Sequence, residues 1–73
     1  MDLLEIKRRQ RLPREEVARR LHALADALAR HNQLEVTEGA TRFRVRVADE
    51  IELEIELEID GVGGAELELE LKW

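Results

Sequence analysis

From Ile51 to Asp60 the chain alternates without a break: Ile51, Leu53, Ile55, Leu57 and Ile59 on one side, Glu52, Glu54, Glu56, Glu58 and Asp60 on the other. A period of two puts every apolar group on one face of a strand, whereas a helix would scatter them around its whole surface. The same rule returns after Gly61-Val62-Gly63-Gly64, with Leu67, Leu69, Leu71 and Trp73 against Glu66, Glu68, Glu70 and Lys72. That glycine-rich segment reads as a mobile hairpin loop. Upstream, Phe43, Val45 and Val47 alternate with Arg42, Arg44 and Arg46, which predicts a strand over Thr41–Val47, with Ala48-Asp49 as the following turn. Leu34 and Val36 mark a shorter strand that turns at Glu38-Gly39. Residues 3–11 carry a weaker alternation, with Leu4 and Ile6 opposite Glu5, Lys7, Arg9 and Arg11, and are expected to form the first strand.

Between these strands the period changes. Val17, Leu21, Leu24 and Leu28 follow at spacings of 4, 3 and 4, and with Ala25 make one apolar stripe. Arg19, Asp26 and Arg30 lie opposite, and the alanines favour helix over residues 14–30. Pro13 suits the first helical position, where a missing N–H costs nothing. Glu15 and Glu16 complement the dipole of the first turn, Arg30 and His31 fall in the last, and Asn32 is expected to take the left-handed closing position.

Charge then suggests a strand order. Residues 1–46 carry 11 basic against 7 acidic side chains; residues 47–73 carry 1 against 10. Opposite charges in register stabilise neighbouring strands and like charges destabilise them. The basic strand at 41–47 therefore fits beside the acidic one at 51–60. The basic residues 3–11 fit beside the last strand. The expected fold is α+β: one amphipathic helix on one face of a five-stranded, mainly antiparallel sheet, β-α-β-β-β-β, in the order 2-3-4-5-1. The last two strands still set glutamate against glutamate, which opposes the fold locally.

Length and composition narrow the classes. Residues 1–73 read as a single domain of marginal stability. No cysteine is present to staple it, in keeping with a reducing compartment. No apolar run approaches the roughly 18 residues of a membrane span. The start, Met1-Asp2-Leu3-Leu4-Glu5, lacks the basic-then-apolar layout of a signal peptide, so a cytoplasmic location and no membrane contact are expected.

Candidate chemistry is sparse, and no catalytic, cofactor or metal residue is assigned. His22 and His31 fall about 180° apart on a helix and read as surface histidines. The carboxylate ladder is flat, whereas calcium wants six to eight oxygens wrapped around a point. Residues 61–64 lack the lysine and the following helix of a phosphate loop. Lys7-Arg8-Arg9-Gln10-Arg11 with Arg14 forms the best nucleic-acid candidate, but a strand splits these cations between two faces. With one Phe, one Trp and no Tyr, the chain also lacks a stacking platform, so nucleic acid is disfavoured as a partner. Trp73 points to the apolar side, either as a plug at the sheet end or as an interface anchor.

The helix start Arg14-Glu15-Glu16-Val17-Ala18, the core Leu24-Ala25-Asp26 and the ending Leu69-Glu70-Leu71-Lys72-Trp73 together resemble the amphi-Trp domain family. These short bacterial and haloarchaeal proteins are named for amphipathic strands and a C-terminal tryptophan. The resemblance spans nearly the whole chain and implies the fold but no activity. One departure is Pro13, where the family commonly has a serine that would cap the helix with Glu16.

Geometry supplies the functional expectation. Five strands make a sheet about 24 Å wide, whereas one helix covers about 10–12 Å. The uncovered apolar face predicts a homo-oligomer, most simply a two-fold dimer, with Phe43, Val45, Leu57, Leu69, Leu71 and Trp73 as self-association residues. Arg42, Arg44, Arg46, Glu52, Glu54, Glu56, Glu68 and Glu70 form a charged face for a protein partner. The chain thus reads as a small self-associating interaction or structural module and not an enzyme. The alternative is a nucleic-acid-associated accessory protein using the basic N-terminal strand.

Overall fold

The computed structural model describes residues 4–73. One helix, α1 (Arg14–Arg30), precedes four strands: β1 (Gln33–Glu38), β2 (Thr41–Arg46), β3 (Glu52–Ile59) and β4 (Ala65–Lys72). The α+β class holds. The fifth strand and the single sheet do not: β1 pairs with β2 and β3 with β4, in two separate antiparallel sheets of two strands.

The helix has the expected bounds, with both ends differing in detail. Pro13 is the N-cap itself, one place earlier than expected, with φ −57° and ψ 149°. Its carbonyl accepts from the N–H groups of Glu16 at 3.0 Å and Val17 at 3.1 Å, and no side chain caps the end. Glu16 instead pairs with Arg19 and, at 3.3 Å, with Arg20. At the other end His31 is already extended (φ −133°, ψ 147°), because β1 begins at Gln33. Asn32 therefore does not take a left-handed conformation; the positive φ values among the described residues belong to Gly39 and Gly63.

Residues 4–11, the bulk of the expected first strand, are not in a strand; residue 3 lies outside the described residues. Beyond Ile6 the apolar side of that alternation would carry Arg8 and Gln10, so extending it would bury nothing. The segment is nonetheless held. Arg8 pairs with Glu38 at 3.5 Å, and Gln10 accepts from Arg20 at 2.5 Å.

The two hairpins fail to merge for a reason that lies in their turns. Gly39, at φ 61°, opens the two-residue turn that sets Glu38 opposite Thr41. A positive φ at that first position is what a type II′ turn requires. The N–H of Val47 donates to Asn32 O at 2.7 Å. Hydrogen-bonded and non-hydrogen-bonded pairs alternate along an antiparallel ladder. Phe43 and Val45 therefore bond inward to β1, and the backbone groups of Arg42, Arg44 and Arg46 face the free edge of β2. In the second hairpin Asp60 N donates to Gly64 O at 3.0 Å. Here the glutamates bond inward, and the backbone groups of the apolar residues face the edges of β3 and β4. An antiparallel β2–β3 pair would match free edge to free edge, setting each arginine opposite an isoleucine or leucine on the same face. The attraction of basic for acidic strand cannot act in that geometry.

The core is thin. Val47, 7 % exposed, is the buried apolar residue among those described. Leu28, Leu34, Val36, Phe43, Ile51 and Leu71 are half-buried. α1 packs on β1. The radius of gyration is 14.5 Å, against about 11 Å for a compact chain of this length.

Candidate interaction surface

The β3–β4 hairpin presents two faces of opposite chemistry. Leu53 opposes Leu71, Ile55 opposes Leu69 and Leu57 opposes Leu67. These are the non-hydrogen-bonded pairs, in which opposed side chains come closest. They zip into an aliphatic surface that none of the described residues covers: Leu53, Ile55, Leu57 and Leu67 are 58, 62, 63 and 62 % exposed. On the other face Glu54 opposes Glu70, Glu56 opposes Glu68 and Glu58 opposes Glu66; Glu52 opposes Lys72. A hydrogen bond to Glu66 and then the charge of Glu66, with smaller contributions from desolvation and the charge of Glu70, raise the Glu68 pKa above its ordinary 4.5. Lys72 reaches Glu70 at 3.1 Å.

The loop of this hairpin is built by Asp60, which the alternation of residues 51–60 places at the end of the carboxylate ladder. Asp60 Oδ1 accepts from the N–H groups of Val62 at 2.8 Å and Gly64 at 2.9 Å. These two amides, Gly64 first, hold its pKa below the ordinary 3.8. Gly63 carries φ 92°, a left-handed value that a side chain disfavours. The signal was present in an aspartate followed by glycines at the first, third and fourth positions.

The expected self-association residues fall on two separate hairpins. Phe43 and Val45 belong to β2, where Phe43 opposes Val36 and Val45 opposes Leu34. With Leu4, Ile6 and Arg8 they line a groove of about 330 Å³ between the N-terminal segment and the hairpin. Leu57, Leu69 and Leu71 belong to the second hairpin. Trp73, 49 % exposed, joins the two: its Nε1 donates to Arg46 O at 2.7 Å, on the free edge of β2. Leu53, Ile55 and Leu67 share the open aliphatic surface and were not singled out from the sequence.

The expected charged face is not continuous either. Arg42 and Arg44 find their counterion in β1, at 2.8 and 3.9 Å from Glu35. Arg46 stands opposite Gln33. Glu52, Glu54, Glu56, Glu68 and Glu70 remain together on the other sheet.

An exposed aliphatic sheet surface, an acidic reverse side and a tryptophan linking two hairpins define an amphipathic hairpin protein rather than a cleft-bearing one. The Amphi-Trp domain matches residues 2–73, and the chain belongs to that family. No curated protein and no solved structure matches it. Among the described residues no group of three or more histidine, cysteine or acidic side chains is placed to hold a metal ion. No helix among them is long and apolar enough to cross a membrane.

Proposed function

We propose that this protein is a self-associating interaction module that covers the aliphatic face of β3–β4 with a second copy of the same chain. The exposure of Leu53, Ile55, Leu57 and Leu67 carries the reading, since soluble chains seldom leave such a continuous apolar patch in water. Charge favours a second copy as the occupant: each chain offers both a strand rich in arginine and a hairpin rich in glutamate. The reading includes no reaction. Carboxylates aligned on an open strand face lack the cleft that separates the pKa values of a catalytic acid and base.

Light scattering coupled to size exclusion tests it. The expected mass at micromolar concentration is twice the 8.5 kDa of one chain. A mass of one chain at every concentration would overturn the reading. Nucleic acid that co-purifies and is shed steeply with salt would support the alternative instead, with Lys7, Arg9 and Arg11 as the cations exposed for it.

A further inference from the structure

The free edge of β2 has an unusual combination of backbone and side-chain chemistry. The outward-facing N–H and C=O groups belong to Arg42, Arg44 and Arg46, the residues that carry the positive charge. Arg46 O is already taken by Trp73 Nε1. The groups of Arg42 and Arg44 face outward along an edge that no strand among the described residues covers, because the two hairpins are separate sheets. Such an edge is a template for another strand.

Hydrogen-bond geometry decides which strand fits. An antiparallel arrival by β3 or β4 is excluded by parity: their outward backbone groups belong to leucines and isoleucines, and antiparallel pairing would set these opposite the arginines. A parallel pair behaves differently. There a residue bonds to the two neighbours of the residue opposite it, so an outward-bonding arginine stands opposite a residue whose own backbone points away. On β3 and β4 those residues are the glutamates. Parallel pairing therefore matches hydrogen bonds, charge and apolar face together.

The connection from β2 to β3, residues 47–51, is far shorter than the dozen or so residues a parallel crossover needs. It excludes a direct parallel β2–β3 pair within one chain. Opposed charge alone does not separate the strands, since the glutamates of β3 and β4 face one another pair by pair. Crowding along the strand does: Glu68, between Glu66 and Glu70 on β4, is the glutamate whose pKa its neighbours raise, and arginines set opposite β4 would relieve it.

We infer that the β2 edge receives β4 of a second copy in parallel, with Arg42 opposite Glu66 and Arg44 opposite Glu68, the ladder ending where Trp73 holds Arg46 O. This inference rests on the self-association proposed above and specifies its geometry. The result is a four-stranded sheet in the order β1-β2-β4-β3, the last two strands coming from the second copy. All its aliphatic side chains lie on one face. Two-fold symmetry forms the same sheet twice. Lys72 falls beyond Arg46, so the register avoids a like-charge pair. The single amphipathic sheet that one chain cannot build with its own antiparallel strands is recovered by two.

Charge reversal tests the pairing in folded protein. The first variant, E35K/R42E/R44E, swaps the signs of β2 and of its β1 counterion, so the ion pairs within the hairpin survive. The second, E66R/E68R, sets arginine opposite Glu58 and Glu56, which strengthens its own hairpin. Circular dichroism should show both folded. Each alone is expected to run as a single chain, and an equimolar mixture to return to the mass of a dimer. Either variant dimerising alone like the parent, or the mixture remaining single-chain, would overturn the β2–β4 pairing while leaving self-association intact. Stability lost in each variant and regained only when all five changes share one chain would mean that β4 closes on its own β2, and would equally overturn the second copy. A parent chain that never dimerises would sink both proposals.

Direction is tested separately, since the chain has no cysteine of its own. R42C/E66C should form a disulfide-linked dimer on mild oxidation, and R42C/E70C should not. The reverse preference would overturn the parallel arrangement.

Discussion

The loop at 61–64 shows how much one side chain organises. Asp60 accepts two amide hydrogens, and Gly63 alone in the loop sits at positive φ. Two substitutions separate shape from flexibility. Gly63→Ala places a Cβ in the left-handed region and is expected to cost roughly 1–2 kcal/mol. Gly61→Ala meets open space at an ordinary φ and should be neutral or stabilising by up to about 1 kcal/mol. Urea midpoints of the two variants check this; equal losses would mean that the loop is disordered. Asp60 also sets a pH limit. Its pKa is depressed in the folded chain, so its contribution is present above the unfolded value near 3.8 and lost as pH falls through the lower folded value. Asp60→Ala should remove that acid limb from the midpoint-versus-pH curve.

At the level of elements, the second hairpin forms despite three pairs of opposed glutamates. The aliphatic pairs on its other face win because their register is fixed by the loop, and the glutamates must follow. Glu68 reports the strain. Its folded pKa is raised, so its contribution is full below the unfolded value near 4.5 and lost as pH rises through the higher folded value. Considering these two groups alone, stability should peak between about pH 3.8 and 4.5, the values from which Asp60 and Glu68 depart. Glu56→Lys faces Glu68 with a cation and should raise the hairpin's stability by about 0.2–1 kcal/mol at pH 7, with the gain shrinking in 1 M salt. For the helix, Pro13→Ser restores a capping box with Glu16 at the third helical position and should add about 1 kcal/mol and some helicity. No gain in the far-ultraviolet helix signal would mean that Glu16 stays committed to Arg19 and Arg20.

On the scale of the whole molecule, the helix and both hairpins were legible because each is written in a local period. Their assembly was not. Whether Arg44 or Phe43 bonds outward depends on the turn at Gly39, and whether Leu53 or Glu54 does depends on the loop at Gly63; a one-residue difference in either inverts the face that edge presents. The alternation of Leu53 with Glu54 is the same in either case, so the sequence pattern points to one sheet where the hydrogen bonds permit two. The candidate surface was legible as apolar positions, and its division between two sheets followed from the same hidden parity. An open chain makes a sharp distinction between residues that hold it together and residues that await a partner. Val47 is buried within the chain, so Val47→Ala should cost about 2 kcal/mol whatever the concentration. Leu57 is exposed within the chain, so Leu57→Lys should cost the single chain only its cross-strand pair with Leu67, about 0.2–1 kcal/mol, and should abolish its dimerisation. Trp73, the single tryptophan, gives the readout. In the parent its emission should shift to the red on dilution as the half-exposed indole loses cover. In Leu57→Lys it should already be red-shifted and independent of concentration. Concentration-independent emission in the parent would show that Trp73 answers only to Arg46 of its own chain.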